Sequence, residues 1–122
     1  MAVRKVNHSR RILSKKSTTI SKAGFRDIIE FKYSAKDIYD KTPMVFVLGK
    51  NSKVLTAINI SYLKEYVIEQ LLEETNPKKL KSWPLCDKAY RTYKISDIKV
   101  VKLIEYETLS QRKERLKIEN AD

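Results

Sequence analysis

A small α+β domain is what this sequence predicts, with an antiparallel sheet, an inserted helical segment and extended termini. Three observations carry the expectation. Residues 44–60 hold two apolar runs, MVFVL and KVLTAINI, separated by the turn-forming stretch GKNS. Residues 62–72 then change to a three- and four-residue apolar spacing, as on a helix with one buried face. Finally, the chain is 122 residues long with 42% apolar and 34% charged residues, enough for one core of ordinary size.

Taken in order, residues 1–24 read as a basic extended arm. They are polar and rich in Ser and Thr, and their isolated apolar residues Val3, Val6, Ile12, Leu13 and Ile20 follow no sustained period. Gly24 marks the entry to a core domain over residues 25–107. FRDIIEFKYS reads as a first strand with a polar face, and AKDIYDKTP at 35–43 as a connection. MVFVL and KVLTAINI form a β-hairpin around GKNS, in which Gly49 and Asn51 are expected to supply the backbone angles of the turn.

The helix follows, with Tyr62, Leu63, Tyr66, Val67, Ile68, Leu71 and Leu72 facing the core, Asn59 or Ser61 as cap, and Thr75-Asn76-Pro77 as its end. A second short helix is expected from Leu85 to about Ile95, with Tyr90 and Tyr93 inside, and a late strand over IKVVKLIEYE at 98–107. Residues 108–122 read as a charged C-terminal helix or tail, with Thr108 and Gln111 spaced as a capping box. One helix over a small antiparallel sheet closes such a core. The leading architecture is a curled SH3-like barrel with the helical segment inserted, other small α+β arrangements remaining open.

The net charge of +11 is unevenly spread. Residues 1–26 hold eight Lys or Arg and no Asp or Glu, whereas residues 27–122 hold eighteen basic and fifteen acidic residues. Arg4, Lys5, Arg10, Arg11, Lys15, Lys16, Lys22 and Arg26 are therefore candidate contacts to a nucleic-acid backbone or an acidic neighbour. Serines and threonines between them could add hydrogen bonds to phosphate. A second candidate is KAYRTYK at 88–94, where Lys88, Arg91 and Lys94 alternate with tyrosines on which bases could stack.

Chemistry is harder to find. With one histidine, His8, and one cysteine, Cys86, a zinc site lacks its usual ligands, and two glycines, Gly24 and Gly49, make no phosphate-cradling loop. Asp37, Asp40 and Lys41 could be imagined around magnesium but read as a polar connection. The sequence predicts no enzyme and no cofactor. It also predicts neither a membrane protein nor a secretory precursor, because no stretch approaches the roughly 20 apolar residues of a membrane span.

The order YDKTPMVFVLGKNSKVLTAINISYL, a helix, then AYRTYKISDIKVVKL resembles a group of small tailed-bacteriophage proteins, some named DNA end protector or head-vertex protein. Tyr39, Asp40 and Pro43 match the group's turn, Val45 to Leu48 its apolar strand and Gly49 its hairpin glycine. Asn59, Ile60, Tyr62 and Leu63 match its signature, and Tyr90 and Tyr93 its later aromatic segment. Ser61 stands at the group's histidine position, Lys64 where a proline usually follows, and Ala57 in place of a glycine. The resemblance covers residues 27–104 and implies a structural virion component near the head, connector or tail, assembled in the host cytoplasm. It implies a symmetric ring whose partners are other phage virion proteins and packaged DNA. The alternative is a non-enzymatic nucleic-acid-binding protein that protects DNA ends or assists phage transcription.

Overall fold

The computed structural model describes residues 11–34, 41–73 and 90–119. These form a small α+β fold: a six-stranded antiparallel sheet with an inserted helix. The strands are β1 (Ile12–Ser17), β2 (Ile28–Tyr33), β3 (Met44–Lys50), β4 (Val54–Asn59), β5 (Tyr90–Lys94) and β6 (Ile98–Tyr106), and the helices α1 (Glu65–Glu73) and α2 (Leu109–Glu119). In space the strand order is β1-β6-β2-β3-β4-β5, so β1 and β5 are the edges.

Strand alternation divides the apolar residues between two cores. On one face Ile28, Met44, Phe46, Leu48, Ile58 and Ile104 pack against Val67, Ile68 and Leu71 of α1. On the other, Ile29, Phe31, Tyr33, Val45, Val47 and Tyr93 cluster with Leu55, Ala57, Ile98 and Val101. Because β3 is buried on both faces from Met44 to Leu48, its sequence reads as a continuous apolar run, whereas β2 places the half-buried Glu30 and the exposed Lys32 between buried Ile29, Phe31 and Tyr33. Phe31, Tyr33 and Tyr93 meet edge to face, with Tyr33 and Tyr93 centroids 5.1 Å apart. The Tyr33 hydroxyl also accepts a hydrogen bond from the backbone N–H of Lys94 at 2.9 Å.

Bulges set which side chain faces which core. In β6, Val100 and Val101 together oppose Phe31, since the register passes from Glu30↔Lys102 to Lys32↔Lys99. This extra residue puts Ile98 and Val101, three apart, into the same core. Val100 carries the distortion at φ 52°, a left-handed conformation unfavourable for a β-branched side chain.

Several expectations change here. Gly49 has no positive φ; it lies within β3 beside a bulge, where a Cβ would meet nothing within 4 Å. The turn is instead made by Asn51, whose Oδ1 accepts from the N–H groups of Lys53 (2.8 Å) and Val54 (2.9 Å). Residues 90–94 are a strand and not the end of a helix, so Tyr90 and Tyr93 point to opposite faces and each packs against a different core. Helix α1 starts at Glu65, later than Tyr62, and leaves Tyr66 exposed. Asn59 caps the 3-10 turn Ile60–Tyr62 by accepting from Ser61 N–H at 3.1 Å, and Lys64 O begins the helical bonding by accepting from Val67 and Ile68 N–H. The segment read as an extended arm supplies β1, paired to β6 from Ile12↔Tyr106 to Ser17↔Lys102.

Thr108 and Gln111 form a capping box at α2: Thr108 N–H donates to Gln111 Oε1 (2.8 Å) and Gln111 N–H to Thr108 Oγ1 (3.1 Å). Along α2, Gln111, Lys113, Glu114, Leu116 and Lys117 are exposed.

Candidate nucleic-acid interface

The basic residues of the sequence have several structural fates. Arg4, Lys5, Arg10 and Lys88 lie outside the described residues, as do Tyr39 and Asp40 of the turn motif, and also His8, Asp37, Trp83 and Cys86. Arg11 is fully buried. Its Nε donates to the Glu107 carbonyl (2.7 Å), its Nη2 to Glu69 Oε2 (3.0 Å), and its Nη1 lies 3.6 Å from Glu65 Oε2, an ion pair too long for a hydrogen bond. The guanidinium carbon sits 5.3 Å from the centre of the Tyr106 ring, and Glu107 N–H returns a bond to Arg11 O at 2.6 Å. This side chain ties the start of β1 to α1 and to the end of β6. Buried this way, it is not part of the outer cationic surface.

Tyr106 registers the same environment: burial pushes its hydroxyl up to about 12, the Arg11 charge opposing the shift and Glu65 and Glu69 adding to it. It therefore stays neutral at physiological pH. Arg26, at φ 77°, donates through its guanidinium to the Leu72 carbonyl in the last turn of α1. Lys15 pairs with Glu30 at 3.3 Å. Lys16 and Lys22 are exposed, and so are Arg91 and Lys94 on the β5 edge. Arg91 Nη1 donates to Tyr90 O at 2.8 Å.

The remaining motif residues serve the scaffold. Pro43 is buried and its carbonyl accepts from Phe31 N–H at 3.2 Å. Leu63 is buried in the α1 core, and Tyr62 is half-buried. An open cleft of about 380 Å³ lies beside β1, lined by charges of both signs such as Lys16, Arg26, Asp27 and Glu105.

Three lysines that sequence reasoning did not select come together on the sheet. Lys32 lies directly opposite Lys99, and Lys102 lies between Glu30 of β2 and Ser17 of β1. Directly opposed residues share a face, so Lys32, Lys99 and Lys102 share the face of Ile28 and Ile104, on which Lys15 is also paired with Ile104. Alternation along β2 would have placed Lys32. Lys99 and Lys102, three apart, fall on one side only because of the bulge at Val100, which leaves no mark in the sequence.

Among the described residues there is no group of three or more His, Cys, Asp or Glu placed to hold a metal ion, and no helix long and apolar enough to cross a membrane. No family model, no curated protein and no solved structure matches the chain.

Proposed function

We propose that the chain is a non-enzymatic structural component of a tailed-phage particle, placed near the head, connector or tail as part of a symmetric ring. Its terminal segments contact neighbouring subunits, and its basic N-terminal residues reach packaged DNA. The observation that carries this reading is the contrast between a firmly packed centre and the exposed side chains of β1 and the last helix. β1 is an edge strand with Leu13 exposed, and α2 presents polar side chains on nearly every described position. A helix whose described side chains are mostly polar and exposed is one that bridges through solvent or is completed by a partner. The order of apolar and aromatic segments that resembles small phage proteins supports the same reading.

The sheet of this component rolls toward an SH3-like barrel. Strands β2 and β5 are three positions apart in the sheet, roughly 14 Å if it were flat, yet Tyr33 reaches both the Tyr93 ring and the Lys94 backbone. That reach supports the roll. Nuclear Overhauser contacts between the Tyr33 and Tyr93 rings in solution test it, and their absence counts against the roll.

Mass spectrometry of nuclease-treated particles from an infected culture that produces the chain, with chemical crosslinking, tests the particle role. Stoichiometric presence with crosslinks to connector or tail subunits is the expected result; absence from the particles overturns it. A free nucleic-acid-binding protein that protects DNA ends or assists transcription is the second reading, favoured by the exposed Lys32 and Lys99 and the half-buried Lys102 on the sheet.

A further inference from the structure

The side chains of Lys32, Lys99 and Lys102 make no hydrogen bond or ion pair among the described residues. Two of them oppose each other directly across β2 and β6, an arrangement that weakens an antiparallel pair. Glu30, the acidic residue of the group, already pairs with Lys15. The bulge that turns Lys99 and Lys102 to one side is held by a β-branched residue in a left-handed conformation, and Val100 itself is 56% exposed. A locally unfavourable conformation beside an unfavourable charge pair is the combination expected where a surface is kept for a partner.

We infer that this face of β1, β6 and β2 is a phosphate-backbone contact for nucleic acid, distinct from any made by Arg4, Lys5 and Arg10 ahead of β1. It rests on the nucleic-acid contact in the proposed function and not on residence in a particle. Lysine is depleted at protein interfaces, whose centres are apolar and aromatic, and this group of lysines contains neither an aromatic side chain nor an arginine fork. A sheet surface with point charges at strand spacing suits a polyanion with closely spaced charges. Ser17, exposed and directly opposite Lys102, supplies a hydroxyl for a phosphate oxygen. Contact through these lysines and Ser17 is to backbone and indifferent to sequence.

The test is the salt dependence of binding of the full chain to a labelled random-sequence duplex over about 50 to 200 mM salt. It compares the wild type with a face variant, Lys32→Ser, Lys99→Ser and Lys102→Ser, and with an arm variant, Arg4→Ser, Lys5→Ser and Arg10→Ser. Each lysine that neutralises a phosphate contributes about 0.9 to the slope of log K against log salt, so the face variant is expected to lose about 2 to 3 of it. The arm variant is expected to lose its own share independently. A face variant with wild-type slope and affinity, beside an arm variant that has lost both, overturns the face and leaves the arm reading standing. Failure of the wild type to bind duplex at the lowest salt overturns the nucleic-acid contact as a whole. Binding to polyglutamate as tight as to DNA, and lost in the face variant, makes this a surface for acidic protein and overturns the assignment.

Discussion

Arg11 and the lysine group of β2 and β6 are both products of a basic sequence, and the protein uses them in opposite ways. Arg11 is wholly enclosed and held by Glu69, the Glu107 carbonyl and the Tyr106 ring, its Nη1 lying near Glu65 without a hydrogen-bond partner among the described residues. Lys32 and Lys99 face each other on an open sheet surface without an acidic partner between them. One cation holds the fold together across three elements, while the others strain it slightly. Net charge therefore does not measure how much cationic surface a partner can reach; register and burial decide that.

The sharpest way to break this comparison is to remove Arg11. Arg11→Met leaves carboxylates facing an apolar side chain and detaches β1 from α1, and loss of one partner of a buried pair costs about 3 kcal/mol. The expected result is a large fall in the urea midpoint. An unchanged midpoint would mean that β1 is held by its ladder alone.

Tyr106 extends the same point into pH. Its pKa is raised to about 12 in the folded chain, so the folded state favours the neutral phenol. The unfolded chain loses that proton near the ordinary tyrosine value, about 10. Stability from this group is complete below pH 10 and is lost as pH rises through 10 toward 12. An alkaline stability titration should show a decline in that window which Tyr106→Phe flattens; an equal decline in the variant would assign it to other groups.

Smaller effects sharpen the other side of the comparison. Val100→Gly removes a side chain from the left-handed region and is expected to raise stability by about 1 kcal/mol, read as a higher urea midpoint. A lower midpoint would mean that Val100 supplies packing that its exposure conceals. Lys32→Ser and Lys99→Ser should each be neutral or stabilising by roughly 0.5 kcal/mol, and a double-mutant cycle should show repulsion between them. A favourable coupling would contradict the opposed register. The sign, opposite to that of Arg11, matters more here than the size.

Those parts of the fold driven by apolar burial were legible in the sequence. β2, the β3–β4 hairpin, α1 and β6 all follow from where Ile, Val, Leu and Phe recur. β1 was not legible, because only Ile12 packs on the core and the remaining residues join the sheet through backbone bonds, which any sequence can make. Tyr90 and Tyr93 misled through their three-residue spacing: on a short strand with a core on each side, two aromatics of opposite orientation are both covered. The turn was placed correctly and Asn51 does close it, though through its side chain, while Gly49, expected to share that role, lies within β3. The partners of Arg11 were hidden by distance in sequence, although Glu65 and Glu69 stand four apart on one side of α1, a spacing able to receive a single guanidinium.

The most direct test is one spectrum, the side-chain nitrogen and proton signals of lysine and arginine recorded as a random-sequence duplex is added to the full chain. The account predicts that the Lys32, Lys99 and Lys102 ammonium signals shift with DNA while the Arg11 Nε signal stays in place. Displacement of Arg11 to the same degree, or lysine signals that do not move as DNA binds, would contradict it.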